Sequence, residues 1–150
     1  MHAMHDQKAE ALFTKGLNEL HQGHTLAALA SFERALQIED NPDYYSYLAY
    51  CVAKERGQIR KAISLCEEAI QKSPHNPVHY LNLGRVYLHA QNKEYAVVIF
   101  REGLKYEKSQ EIIDELNRLH TRKPPVLPFL PRDNPFNKYL GIVLRILRIR

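Results

Sequence analysis

"YLNLGRVYLHAQ", Tyr80 to Gln91, has the pattern of a helix yet carries Gly84 at its centre. A glycine inside a helix costs about 1 kcal/mol relative to alanine, so something at this position must favour the missing side chain. The flanking stretches, "KSPHNP" and "AQNK", are turn sequences, and Pro77 stands where a first-turn proline opens a helix. The segment therefore reads as one arm of a helical hairpin, with Gly84 where the other arm comes close. A larger side chain would overpack such a contact by about 1–3 kcal/mol. The expected partners of Gly84 are Ala96 and Gly103.

Working outward, small residues recur at a nearly fixed step. Gly16, Ala49 and Gly84 lie 33 and 35 apart, while Ala28, Ala62 and Ala96 lie 34 and 34 apart. Ala35, Ala69 and Gly103 keep the step of 34, as do Phe32, Cys66 and Phe100, and Asp40, Pro74 and Lys108. Each unit splits into two apolar-periodic segments around a polar turn: "QGHT" at 22–25, "ERGQ" at 55–58 and "AQNK" at 90–93. Between units, "EDNPD" and "KSPHNP" place Pro42 and Pro77 in first turns. Residues 109–121 continue with Ile112, Ile113, Leu116 and Leu119 at helical spacing behind Ser109, a good N-cap. Such a helix closes the open end of a repeat array.

The repeats resemble the tetratricopeptide repeat family, whose pattern runs W-x2-L-G-x2-Y, then A-x3-F, then A and P. The third unit matches through Tyr80, Leu83, Gly84, Tyr87, Ala96, Phe100 and Gly103. The second matches through Tyr45, Leu48, Ala49, Val52, Ala62, Cys66, Ala69 and Pro74, with one extra residue in its turn. The first keeps Leu12, Gly16, Gly23, Ala28, Phe32 and Ala35, and departs at Lys15 and Glu19, where apolar residues are expected. The resemblance covers residues 9–110. It implies an all-α solenoid of antiparallel helical hairpins: a flexible N-terminus at 1–8, units at 9–41, 42–76 and 77–108, and the capping helix at 109–121.

Bulk properties fit a globular chain of 150 residues, 45% hydrophobic and 25% charged. The start, "MHAMHDQKAE", has no apolar core of a secretory signal, and no window is apolar enough to span a bilayer. Cys51 and Cys66 fit no metal or redox spacing, so a cytoplasmic location is expected. The net charge of +4 is uneven. Residues 122–150 hold seven Lys/Arg against Asp133 alone, a net +6, leaving the first 121 residues at −2.

Chemistry is hard to find in this chain. His21 and His24 in "HQGH", and His75 and His79 in "HNPVH", lack the flanking Glu and third ligand of a zinc site and read as solvated turn histidines. Cys66 shares a column with two phenylalanines and reads as packing. The pair Glu67–Glu68 reads as a solvated face. Nucleotide-binding glycine fingerprints and nucleophile elbows are missing. Neither an enzyme nor a cofactor is expected.

The resemblance implies binding instead, through a concave groove lined by the first helix of each unit. The matched register projects Phe13, Leu17, Leu20 and His21, then Tyr47, Tyr50 and Lys54, then Leu81, Asn82, Arg85 and His89 onto that groove. Phe13, Leu17 and Leu20 can equally be core, rotated by the irregular first unit. The partner-binding set is thus Phe13, Leu17, Tyr47, Tyr50, Leu81, Asn82, Arg85 and His89, suited to a protein or peptide with aromatic or aliphatic anchors. Chaperone-tail receptors of this family hold a carboxylate with Lys, Asn and Arg at five positions. Here those positions carry Phe13, Leu17, Tyr47, Val78 and Asn82, so that clamp is not expected.

The tail departs from the repeats. Pro124, Pro125, Pro128, Pro131 and Pro135 favour an extended run over 122–135, and Val126, Leu127, Phe129 and Leu130 make it apolar enough to pack on a surface or dock a partner. Asn134–Pro135 then opens a short basic apolar helix over 136–150, with Lys138, Gly141, Arg145 and Arg148 on one stripe. That helix can pack on the repeats, self-associate or lie on an anionic membrane surface. With only Phe136 and Tyr139 among few basic residues, nucleic acid is not the expected partner.

Overall fold

Helix starts and stops follow the capping residues closely. The computed structural model describes residues 2–119, and within them the chain forms seven α-helices and no strand. These are α1 (His2–His21), α2 (Thr25–Ile38), α3 (Pro42–Arg56), α4 (Ile59–Lys72), α5 (Pro77–His89), α6 (Lys93–Gly103) and α7 (Gln110–Arg118). Asn41 and Asn76 accept hydrogen bonds from the backbone N–H of Asp43 and Val78, each at 3.0 Å, and Pro42 and Pro77 take the first helical position. Ser109 caps α7 through the N–H of Ile112. The proline-rich segment at 122–135, the basic helix at 136–150 and the last residues of the 109–121 segment lie outside the described residues.

Consecutive helices pair as antiparallel hairpins, α1 with α2, α3 with α4 and α5 with α6. Every repeat column that was small or aromatic is buried. Ala28, Ala62, Ala96, Phe32, Cys66, Phe100, Ala35 and Ala69 are all fully inaccessible. Burying a ring the size of Phe100 stabilises by about 2–3 kcal/mol, which exceeds the helix penalty of a glycine.

The partner of Gly84 differs from the one the sequence suggested. A Cβ there would stand 2.2 Å from Cε1 of Phe100, so the glycine makes room for that ring rather than for Ala96 or Gly103. Gly16 does the same for Phe32, at 2.5 Å. Gly103 instead receives Tyr80 and Ile112, whose atoms would lie 2.7 and 2.9 Å from an added Cβ. The hairpin spacing is therefore set by a ring on one helix over a bare backbone on the other. The middle hairpin places Ala49 and Cys66 at the corresponding positions, both fully buried.

Three further expectations need correcting. Residues 2–8 are helical rather than flexible: they contain no Gly or Pro, and α1 extends through them although residues 3–8 are exposed. Lys15 and Glu19 do not disturb the first hairpin. Lys15 points to solvent, and the Glu19 carboxylate accepts a 2.7 Å hydrogen bond from Ser31 on α2, a polar pair where an apolar one was expected. His79 is not a solvated turn residue but fully buried between α5 and α3. Its Nδ1 lies 3.0 Å from the Ser46 hydroxyl and its Nε2 3.7 Å from Asp43. The Ser46 hydroxyl also accepts from Asn82 Nδ2 at 3.3 Å and lies 3.4 Å from the Asp43 carbonyl, to which it can donate. Burial lowers the affinity of this ring for a second proton, with Asp43 opposing the shift.

A further repeat column emerges in the hairpin turns. Gly23, Gly57 and Gln91, each 34 residues from the next, have left-handed backbones with φ of 80°, 64° and 60°. Two are glycines, for which this conformation is easy. Gln91 pays about 1 kcal/mol to adopt it.

Candidate functional site

The first helix of each unit and α7 together line one cleft. In the sequence register, Leu17, Tyr50 and Arg85 occupy equivalent places on α1, α3 and α5, and His21, Lys54 and His89 occupy the next turn along. A cleft of about 430 Å3 is bounded by Leu17, Leu20 and His21 of α1, Tyr47, Tyr50 and Lys54 of α3, Arg85 of α5 and four residues of α7. An adjoining pocket of about 400 Å3 continues past Tyr50 and Arg85 to Leu88, His89 and Gln91. Leu17, Leu20, Tyr47 and Tyr50 make an apolar floor.

Five of the eight residues proposed from sequence line this space: Leu17, Tyr47, Tyr50, Arg85 and His89. The other three do not. Phe13 is half-buried in an aromatic cluster, with ring centroids 4.7 Å from Tyr44, 5.5 Å from Tyr47 and 5.7 Å from Phe32. Leu81 is fully packed with Ala96, Phe100 and Ile112. Asn82 is buried and committed to Ser46. These three serve junctions between helices, because neighbouring units cover the side of the helix on which they stand.

What sequence reasoning missed is the wall that α7 contributes: Glu111, Asp114, Glu115 and Arg118. The apolar stripe of α7 faces the repeats, as Ile112 is fully buried, and its charged side turns toward the cleft. Glu115 is only 8% exposed and accepts a 2.8 Å charge-assisted hydrogen bond from Arg85 Nε. Arg118 approaches the same oxygen at 3.6 Å. The Arg85 guanidinium lies 5.7 Å from the centroid of the Tyr50 ring, and Lys54 Nζ lies 5.8 Å from it, both within cation–π range. Burial pushes the Tyr47 hydroxyl above its usual range, with Glu111 adding to the shift and Arg85 opposing it.

Among the described residues, the lining of the cleft pairs no nucleophile with a base. The two cysteines are buried away from it, and burial pushes the Cys51 thiol up to about 12 and that of Cys66 higher still, so both are inert. Among the described residues no three His, Cys, Asp or Glu side chains are grouped to hold a metal, and no helix is long and apolar enough to cross a membrane.

With this geometry in place, comparison with known proteins is informative. A family model described as "Tetratricopeptide repeat" matches residues 53–116. That segment of the chain thus carries the tetratricopeptide-repeat pattern. A repeat-containing protein of this family from Methanocaldococcus jannaschii is 29% identical over 82 residues, or 53% of this chain and 24% of that protein. The chain thus spans about a quarter of that relative's length. Among solved structures, the first tetratricopeptide domain of human RPAP3 superposes with a TM-score of 0.63 at 20% identity, covering 77% of this chain and 91% of that one. The Arabidopsis OM64 domain gives 0.62 at 20% identity, over 77% and 97%. The first repeat domain of Spaghetti (RPAP3), bound to the HSP90 peptide SRMEEVD, gives 0.60 at 22% identity, over 77% and 92%. At such identities the tetratricopeptide likeness speaks for the fold.

Proposed function

We propose that this protein is a non-catalytic interaction scaffold that takes a peptide or partner helix into the cleft between α1, α3, α5 and α7. The observation that carries the reading is the floor itself. Leu17, Leu20, Tyr47 and Tyr50, drawn from two units, present apolar and aromatic surface in a concave site flanked by charges. Such sites bind by desolvating a few anchor side chains, while rim charges set orientation. Similarity to folds whose structures hold chaperone peptides supports the class of partner, a protein segment. The five clamp positions of the chaperone-tail receptors hold Phe13, Leu17, Tyr47, Val78 and Asn82, two of them fully engaged in junctions, which argues for a different segment here. A cytoplasmic location belongs to the same proposal.

The test is affinity capture of native partners by the full chain, compared with a Tyr50→Ala/Arg85→Ala variant and with Leu26→Ser on α2, an exposed residue outside the cleft. The cleft variant is expected to lose its partners while keeping its circular dichroism and melting profile, and Leu26→Ser is expected to keep them. Equal capture by the cleft variant would remove the assignment.

A further inference from the structure

We propose that Glu115 sets which partners the cleft accepts, by placing an internal carboxylate where an anionic partner would otherwise bind. The inference rests on the reading of the cleft as the partner site and specifies the chemistry of the segment it takes: apolar anchors with a neutral or basic flank.

Two guanidiniums stand on this part of the wall, and both are drawn to one acceptor. Arg85 Nε meets Glu115 Oε1 at 2.8 Å, and Arg118 meets the same oxygen at 3.6 Å. Glu115 is the only charged residue among the buried ones described, and a carboxylate so enclosed is stable because it is paired. Breaking that pair to admit a ligand carboxylate would strand it. Glu111 and Asp114 extend the negative edge along the same helix, and neither has a cationic side chain within salt-bridge distance among the described residues. Asp114 is held by the Gln110 amide at 2.9 Å, which leaves its charge uncompensated. Among the described residues, Lys54, exposed at the rim beside Tyr50, is the one cation of the cleft wall with no acid within salt-bridge distance. An acidic segment entering the cleft therefore meets an Arg85 already paired, an Arg118 drawn toward the same carboxylate, and two carboxylates without a cationic partner. A basic segment meets Glu111 and Asp114 as open acceptors. Like-charge juxtaposition of this kind selects partners by rejection as much as by attraction.

The experiment uses the full chain and two fluorescently labelled peptides, SRMEEVD and its charge-reversed form SRMKKVK, with fluorescence anisotropy as the readout. Wild type is expected to bind SRMKKVK more tightly than SRMEEVD. Glu115→Gln should bind SRMEEVD about ten-fold more tightly than wild type, because two guanidiniums lose their internal counter-ion. The gain should disappear in Glu115→Gln/Arg85→Ala. Glu115→Ala provides a second variant of the same charge, and melting curves confirm that each is folded. The proposal is overturned if both neutral variants bind SRMEEVD no better than wild type, including not at all, or if wild type already prefers SRMEEVD. Partner capture by the Tyr50→Ala/Arg85→Ala variant reads the cleft separately, so a cleft that captures partners regardless of residue 115 refutes this inference alone.

Discussion

The junction between the first and second units and the junction between the second and third use the same three register positions with opposite chemistry. In the first junction Phe13 of α1 meets Tyr44 and Tyr47 of α3, rings packed 4.7 and 5.5 Å apart. One unit further along, the equivalent residues are Ser46 of α3 against His79 and Asn82 of α5, joined by hydrogen bonds of 3.0 and 3.3 Å. At the third such position Leu81 packs on Ile112 of α7. The scaffold thus tolerates an aromatic, a polar and an aliphatic solution at one geometric seam. The register position stays the same while the chemistry filling it varies.

That contrast can be broken most forcefully at Phe13. Phe13→Ala empties the centre of a four-ring cluster and is expected to cost about 3 kcal/mol in urea unfolding, near the lower end for such truncations because the ring is only half-buried. A cost below half of that would mean the cluster is not what joins the first two units. Ser46→Ala should cost less, about 1–3 kcal/mol, by leaving His79 and Asn82 buried without their shared partner. Asn82 Oδ1 and His79 Nε2 already have no hydrogen bond, so the network has little slack.

The two junctions should also respond to opposite ends of the pH scale. Burial lowers the His79 pKa from its ordinary 6.5, so the polar junction contributes fully above that pH. As pH falls below 6.5 the unfolded chain takes up a proton that the folded ring resists, and stability is lost until the lowered folded value is passed. Burial raises Tyr44 and Tyr47 above 10.0, so the aromatic junction contributes fully below that pH and loses stability as pH rises past it. Urea titrations at about pH 5, 7.5 and 10.5 should show His79→Gln reducing only the acid arm and Tyr44→Phe reducing only the alkaline arm, to which Tyr47 and the buried thiols also contribute. An acid arm unchanged in His79→Gln would rule out the polar junction as its source. The smallest effect is a gain. Gln91→Gly relieves a left-handed backbone far from both junctions and is expected to add about 0.5–1 kcal/mol without altering either pH arm.

Much of the fold could be read from periodic columns, because a repeat repeats its contacts. Ala28, Ala62 and Ala96 are inaccessible for one reason, and one step of 34 reveals them together. The turn column of Gly23, Gly57 and Gln91 was harder to see, since Gln91 hides a conformation that two glycines advertise. In the cleft, positions 9 and 13 of each matched unit, which include Leu17, Tyr50, Arg85 and His89, could be projected from the register. Phe13, Leu81 and Asn82 could not, because whether a flank residue faces the cleft or a neighbouring unit depends on what that unit offers. Ser46 is small and polar, so Asn82 turns to it, whereas Ile112 is apolar and Leu81 turns there. The acidic wall of α7 was hidden for a different reason. Arg85 and Glu115 lie 30 residues apart in sequence, and the charges of an end helix look like a solvent face until the helix is docked.

One helix separates the polar seam from the apolar one. From His79 to Gly84 every residue of α5 is buried, more than a full turn with no side open to water. Its backbone amides can meet solvent deuterium only when neighbours on several sides let go at once, so exchange there reports the opening of the whole array. Among the described helices, α1 and α7 have a neighbour on one side only, so each can fray without the centre opening. Opening at α7 therefore need not disturb the centre, and the middle of the array can stay closed while an end helix lets go.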